Sequence, residues 1–162
     1  RARDSLKTAA RMPASLTFQE AAALPMTSLT ALQVLRNVAG LRPGQKLLVN
    51  GASGGVGSSA VQLGKILGAE VTGVCSTRNV ELVRGLGVDH VVNYDEGDFA
   101  AAGVTYDVIF DCVGNRSLAD SKAALTPKGV FVSVTTSAGK LVTSTACNLF
   151  RAQRETQIAA RL

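Results

Sequence analysis

The sequence predicts a doubly wound α/β fold, in which a parallel sheet is covered by helices on both faces. Short β-branched runs alternate along the chain with longer segments of helical spacing. These runs are almost continuously apolar, which is typical of strands buried on both sides of a parallel sheet. A glycine-rich loop, NGASGGVGSSA at 50–60, lies between the first run and the helical segment after it. Because strand–helix–strand units cross over with a right hand, their repetition favours a doubly wound sheet.

Six strands and the helices between them follow from this alternation. The predicted strands are 46–50, 70–75, 90–93, 107–112, 129–134 and 157–161. The predicted helices between them are 55–67, 79–86, 96–101 and 116–124. The first of these helices has apolar residues at helical spacing and is followed by Gly68, a residue type that favours a helix C-terminus.

A helical region is also predicted before the first strand. Thr17 and Glu20 have the spacing of a capping box, in which two side chains cap a helix N-terminus reciprocally. Pro25 is expected to interrupt this helix, because proline lacks the N–H that an interior helical position donates. A second, longer helix is predicted over 27–39 and ends at Gly40.

Length, composition and charge exclude several classes of protein. With 162 residues and 46% hydrophobic residues, the chain can form one domain with a sizeable core. It has no apolar run of membrane-spanning length and no signal-peptide pattern. Its net charge of +5 comes from residues 1–12 and 151–162, so no nucleic-acid partner is expected. A cytoplasmic location is expected, with an organelle left open because the chain starts without Met.

The cysteines and the single histidine do not predict a metal site. Cys75, Cys112 and Cys147 are scattered along the chain, and none belongs to a C-x-x-C pair or has a histidine at ligand spacing. Cys75 and Cys112 each end an apolar run, where a thiol commonly serves as a small buried side chain. His90, at the start of a predicted strand, is interpreted as structural.

The glycine loop resembles the G-x-G-x-x-G fingerprint of dinucleotide-binding proteins, with Ala52 at its first glycine. In that fingerprint Gly54 allows the backbone to approach a pyrophosphate, and Gly57 allows close packing of helix and strand. The N-terminus of the helix then faces the anion. A preceding strand and a following helix are the context that indicates a dinucleotide site. The alternative is that the glycines serve only a tight turn.

The residues after the second predicted strand indicate which dinucleotide the site binds. Dinucleotide sites specific for NAD have an acidic residue there, which binds the ribose 2′-hydroxyl. This chain has Ser76 and Arg78 instead. A hydroxyl and a planar guanidinium suit a 2′-phosphate, so NADP is the predicted cofactor. The alternative is that Ser76 caps the next helix while Arg78 is solvated.

Four segments together resemble the nucleotide-binding domain of medium-chain dehydrogenase/reductases. They occur in the order AAALPMTSLTALQVL, GASGGVGSSAVQLGK, CSTRNVELVRGLGVDHVVNY and YDVIFDCVG. The resemblance covers nearly the whole chain and is greatest to the zinc-free quinone-oxidoreductase branch. That branch includes NADPH-dependent quinone, enone and alkenal reductases.

The resemblance implies a set of cofactor-binding residues. Ser53, Gly54, Gly55 and Val56 would line the pyrophosphate, together with Gly57 of the fingerprint. Around the nicotinamide end of the cofactor it implies Thr30, Cys112, Val113, Val134 and Thr135; for the last four, strand-end packing is the alternative. Around the 2′-phosphate it implies Ser76, Arg78 and Tyr94. Many relatives have lysine where this chain has Asn79, which would leave Arg78 to bind the phosphate alone.

The resemblance also implies domain organisation, activity and partners. Residues 1–17 would be a linker from a missing N-terminal catalytic domain, and 18–162 an NADP-binding domain with a truncated C-terminus. The parent protein would be an oxidoreductase that transfers hydride from NADPH to a quinone or enone, with no metal and no catalytic residue in this chain. A homodimer formed through the last strand is expected, since an apolar edge strand needs cover. The alternatives are a nucleotide-binding module without turnover and a scaffold that retains only the fold.

Overall fold

The computed structural model of the protein describes residues 10–134 and the backbone of 154–157. Its strands are β1 (Lys46–Asn50), β2 (Glu70–Cys75), β3 (His90–Asn93), β4 (Tyr106–Asp111), β5 (Leu125–Ser133) and β6 (Arg154–Gln157). They form one parallel sheet of order β3-β2-β1-β4-β5-β6. The sequence-based prediction of a doubly wound parallel sheet is therefore confirmed.

Helices connect the strands. They are α1 (Phe18–Leu32), which continues as a π-helix (Gln33–Val38), α2 (Gly55–Ile66), α3 (Val80–Gly85) after a 3₁₀ turn (Thr77–Asn79), and α4 (Leu118–Ser121), which continues as a 3₁₀ turn (Lys122–Ala124). Each face of the sheet has its own core. Leu47 and Val49 of β1 pack with residues of α1 and α2. Leu48, which points to the opposite face, packs with Phe99 and Leu118.

The first three strand predictions and the capping box are confirmed, whereas three later strand boundaries shift. β4 begins and ends one residue before the prediction. β5 begins at Leu125, four residues early, because Leu125 pairs with Tyr106 before an irregularity in the β4–β5 register. The last strand was expected at 157–161, but Arg154–Gln157 pairs with Val130–Ser133 instead. Register against a neighbouring strand decides such boundaries, and the local sequence carries little information about it.

The prediction that Pro25 interrupts the first helix is wrong. Pro25 lies inside α1, which begins at the Thr17 capping box and runs to Leu32. The proline is exposed, so water can bind the carbonyl that loses its helical donor. Beyond the proline, the Ser28 and Thr27 hydroxyls lie 3.3 and 3.4 Å from the Ser59 hydroxyl of α2. Contact with α2 therefore fixes the second half of the helix.

The predicted helix over 96–101 is also absent. This segment forms turns, in which the Ala100 N–H donates to the Asp98 carboxylate at 3.0 Å. Phe99 is 2% exposed and packs into the core on the α4 side of the sheet. Arg116 lies over the Phe99 ring at 5.3 Å and bonds the Asp98 carboxylate at 3.0 Å. These tertiary contacts favour a turn over the helix that the residue spacing suggested.

Candidate dinucleotide-binding site

A pocket of about 500 Å³ lies at the carboxyl ends of β1, β2 and β4. The strand order reverses between β1 and β4, and open α/β sheets bind ligands at this kind of switch point. Ten of the thirteen predicted site residues line the pocket: Ser53, Gly54, Gly55, Val56, Gly57, Ser76, Arg78, Tyr94, Cys112 and Val113. The structure therefore brings together residues from four separate segments of the chain, which follow β1, β2, β3 and β4.

Two predicted residues, Thr30 and Val134, are not among those that line this pocket. Thr30 lies in α1, where its hydroxyl donates to the Met26 carbonyl at 2.7 Å. Val134 follows β5, and its N–H donates to the Asp111 carbonyl at 3.2 Å. Thr135 lies outside the described residues. Five residues that were not predicted also line the pocket, namely Asn50, Gly51, Cys75, Asn79 and Asn115.

Gly54 and Gly57 of the loop are glycines for different physical reasons. A Cβ on Gly57 would overlap the Gly51 carbonyl oxygen and would lie 2.8 Å from the Gly51 carbonyl carbon. Gly57 is therefore required by the packing of α2 against the loop. A Cβ on Gly54 would meet only the same oxygen, at the ordinary distance of 3.4 Å, and the φ of Gly54 is −78°. Neither packing nor backbone conformation requires glycine at 54, so its missing side chain leaves room in the pocket.

The N-terminus of α2 lies at this part of the pocket, and no described side chain caps it. Gly54 is the N-cap and has no side chain to cap the helix, and the first helical hydrogen bond runs from the Ser58 N–H to the Gly54 carbonyl at 2.8 Å. The N–H groups of the first helical turn have no partner inside a helix, and they carry the positive end of its dipole. This part of the pocket therefore favours a negatively charged group.

The 3₁₀ turn after β2 supplies the charged part of the pocket. Arg78 is exposed, and it is the one charged residue among the described residues that line the pocket. Ser76 is 9% exposed and makes no side-chain cap to the turn. Its hydroxyl instead accepts a hydrogen bond from the Asn79 amide at 3.2 Å, and the same amide donates to the Ser53 hydroxyl at 3.1 Å. The interpretation of Ser76 as a helix cap is therefore not supported.

Asp95 holds this turn without lining the pocket itself. Its carboxylate accepts from the Thr77 N–H and from the Thr77 hydroxyl, both at 2.9 Å. The backbone hydrogen bond first, then the hydroxyl and the nearby Arg78 charge, hold the pKa of Asp95 below its usual value. The carboxylate is thus ionised and directed at Thr77.

A polar network forms the other side of the pocket. Asp111, fully buried at the end of β4, accepts from the Asn50 amide at 2.9 Å, from the Gly114 N–H at 3.0 Å and from the Ser133 hydroxyl at 3.3 Å. Asn50 donates its second amide hydrogen to the Asn115 side-chain carbonyl at 2.9 Å. The signal for this network in the sequence is a polar residue at the end of each of two apolar strands.

The pocket thiols are expected to be unreactive. Burial, followed by the charge of Asp111, raises the pKa of Cys112 to about 12. Burial likewise raises the pKa of Cys75. Because the thiolate is the nucleophile, alkylation of Cys112 by iodoacetamide at pH 8 should be roughly a thousandfold slower than that of an ordinary thiol. Peptide mass spectrometry of the folded and urea-unfolded protein measures this rate, and equally fast labelling in both states would contradict the expectation.

A parallel sheet with its glycine loop at the switch point defines the class of Rossmann-type dinucleotide-binding domains. The family of zinc-binding dehydrogenases matches residues 55–159 of the chain. The chain belongs to this family, within the quinone-oxidoreductase branch of the medium-chain dehydrogenase/reductases. The resemblance inferred from sequence motifs is therefore confirmed.

A curated relative and two solved structures illustrate the similarity. The chloroplast envelope quinone oxidoreductase homolog of Arabidopsis thaliana is 40% identical over 138 residues, which are 80% of this chain and 42% of that protein. The quinone oxidoreductase from Coxiella burnetii is 34% identical with a TM-score of 0.78, covering 91% of this chain and 46% of its own. The quinone oxidoreductase from Thermus thermophilus, solved also in complex with NADPH, is 27% identical with a TM-score of 0.73. That match covers 93% of this chain and 49% of the Thermus chain.

This chain thus spans less than half the length of these proteins. Over the described residues, no helix is both long and apolar enough to cross a membrane. The same part of the chain has no group of three His, Cys, Asp or Glu side chains placed to hold a metal ion.

Proposed function

We propose that this chain is the NADPH-binding domain of an oxidoreductase that transfers hydride, without a zinc ion, to a quinone or an α,β-unsaturated carbonyl compound. The observation that carries the proposal is the pocket wall after β2, where Ser76 and Arg78 stand in place of an acidic residue. A carboxylate at this position would repel a 2′-phosphate, whereas a guanidinium binds it with charge-assisted hydrogen bonds. The Thermus relative, named for its complex with NADPH, supports the same cofactor.

The pocket fits the two anionic parts of this cofactor. The pyrophosphate would lie against the N-terminus of α2, where Gly54 leaves room and the first-turn N–H groups donate. The 2′-phosphate would lie between Arg78 and the Ser76 hydroxyl, with Tyr94 beside it. Both sites belong to one pocket, so a single extended molecule can occupy them together.

The remaining wall of the pocket would orient the nicotinamide end. Val113 and Asn115 follow β4 and line the pocket, and Asn115 is held through Asn50 by the buried Asp111. When bound, the cofactor supplies the hydride, and the protein contributes binding, orientation and exclusion of water. The neutral thiol of Cys112 contributes packing at this wall, since its raised pKa removes it as a base at neutral pH.

The substrate and assembly of the parent protein are part of the proposal. The names of the Arabidopsis and Coxiella relatives favour a quinone as the hydride acceptor. An organelle is proposed beside the cytoplasm as the compartment, since the plant relative is named for the chloroplast envelope. Homodimerisation through β6 is proposed because it lies at the end of the strand order, where a second copy could extend the sheet.

Titration of this chain with NADPH and with NADH tests the proposal. We expect NADPH to bind at least tenfold more tightly, because one charge-assisted hydrogen bond is worth about 1.5–3 kcal/mol. Cofactor fluorescence or isothermal titration calorimetry measures both affinities. Failure to bind either nucleotide would contradict the proposal and would leave a scaffold that retains only the fold. Steady-state oxidation of NADPH by a quinone, measured on the full-length protein, separates an enzyme from a binding module without turnover.

A further inference from the structure

The side chain of Asn79 connects the two phosphate-binding parts of the pocket. Its amide nitrogen donates to the Ser53 hydroxyl in the glycine loop and to the Ser76 hydroxyl at the end of β2, at 3.1 and 3.2 Å. Asn79 is half-buried at the end of the 3₁₀ turn, and its own N–H is bonded to the Ser76 carbonyl at 2.9 Å. The backbone therefore holds the amide in place between the two serines.

The number of hydrogens on the Asn79 amide determines whether each serine hydroxyl accepts or donates. A side-chain amide nitrogen has two hydrogens and no acceptor capacity, so Asn79 uses both hydrogens on the two hydroxyls. Each hydroxyl accepts from Asn79 and keeps its own hydrogen. Within the described residues neither the Ser53 nor the Ser76 hydroxyl donates to a protein acceptor. Both hydroxyls line the pocket, so their hydrogens are left for an acceptor on the ligand.

We infer that Asn79 is a positioning residue that turns two serine hydroxyls into donors, one for the pyrophosphate and one for the 2′-phosphate of the dinucleotide. The inference rests on the proposed function, and it deepens it. Arg78 does not bind the 2′-phosphate alone, because Asn79 supplies an oriented second donor through Ser76. Asn79 thus acts on the 2′-phosphate through the Ser76 hydroxyl and adds no charge. A lysine at 79 would instead add a positive charge to the pocket.

The position also determines which cofactor is preferred. A carboxylate at 79 can only accept, so it would reverse both hydrogen bonds and turn the hydroxyl lone pairs toward the ligand. Such a pocket would repel a 2′-phosphate and would accept hydrogen bonds from a ribose 2′-hydroxyl. We therefore expect Asn79→Asp, which is nearly isosteric, to lower the ratio of NADPH to NADH affinity by about tenfold or more. Asn37→Asp is the matched control, because Asn37 is exposed and does not line the pocket.

Small nucleotides separate the two parts of the pocket. The affinity gain from 5′-AMP to 2′,5′-ADP measures the 2′-phosphate, and the gain from 5′-AMP to 5′-ADP measures the second phosphate of the pyrophosphate. We expect Ser76→Ala to reduce only the first gain and Ser53→Ala only the second, each by roughly threefold to tenfold. Asn79→Ala is expected to reduce both. Ligand-observed NMR titration of the 162-residue chain measures these gains, and circular dichroism checks that each variant is folded.

The outcomes distinguish this inference from the proposed function. If the unmodified chain gains no affinity from either phosphate, the proposed function fails and the role of Asn79 fails with it. If the unmodified chain shows both gains while Asn79→Ala and Asn79→Asp leave them unchanged, only the role of Asn79 is overturned. Loss of a single gain in Asn79→Ala would likewise overturn it, since the inference requires one amide to serve both hydroxyls.

Discussion

Replacement of Gly57 by alanine is expected to lower the free energy of unfolding by about 3 kcal/mol, the upper part of the range for an added methyl group in a packed site. The new Cβ would overlap the Gly51 carbonyl oxygen and approach the Ala52 Cα to 3.0 Å. These are backbone atoms, so no side-chain rotation relieves the overlap, and α2 must move away from the loop. The melting temperature should fall by about 10 °C in a thermal unfolding experiment followed by circular dichroism.

Gly54→Ala is the matched control for that prediction. A Cβ at 54 meets only the Gly51 carbonyl oxygen at 3.4 Å, and the φ of −78° is open to any residue. Its melting temperature should stay within a few degrees of that of the unmodified chain, as expected for a cost below about 1 kcal/mol. Binding of NADPH should nevertheless weaken, because the methyl group occupies the room left for the pyrophosphate. Equal loss of stability in both variants would show that the two glycines do not differ in role.

Replacement of Arg78 by alanine is expected to weaken NADPH binding by about 10- to 100-fold and to leave NADH binding within about twofold. The guanidinium is the one charge among the described pocket residues, and loss of hydrogen bonds to a charged group costs about 1.5–3 kcal/mol. Because Arg78 is exposed, salt should screen its contribution. The preference for NADPH should therefore decline as the salt concentration rises. Calorimetric titration at two salt concentrations measures both effects.

Arg84→Ala provides the control for charge. Arg84 carries the same guanidinium on the neighbouring helix α3, where it pairs with Glu81 at 2.6 Å and does not line the pocket. Its removal changes the net charge of the chain equally, but it should leave the NADPH to NADH ratio unchanged. A ratio that is the same in Arg78→Ala and in the unmodified chain would show that the cofactor assignment is wrong.

The sequence predicted most of the fold because its strands and helices have strong local signals. β1, β2 and β3 begin and end at the residues predicted from the apolar runs, and α2 begins at the glycine loop. The errors lie where tertiary contacts outweigh local preference. Pro25 is accommodated because contacts with α2 hold α1 in place. Residues 96–101 form turns because Phe99 is buried in the core on the α4 side of the sheet. The edge strand β6 takes its position from its register with β5.

The candidate site, too, was predicted in part from the sequence and decided in part by the tertiary structure. The sequence by itself determined the glycine loop, the absence of an acidic residue after β2 and the family, because these depend on residue types at fixed short spacings. Only the tertiary structure decided that Thr30 and Val134 lie outside the pocket while Asn50 and Asn115 line it, and that Asn79 joins Ser53 to Ser76. Hydrogen bonds between residues far apart in the chain require the carboxyl ends of separate strands to meet at one edge, and no local spacing encodes that meeting.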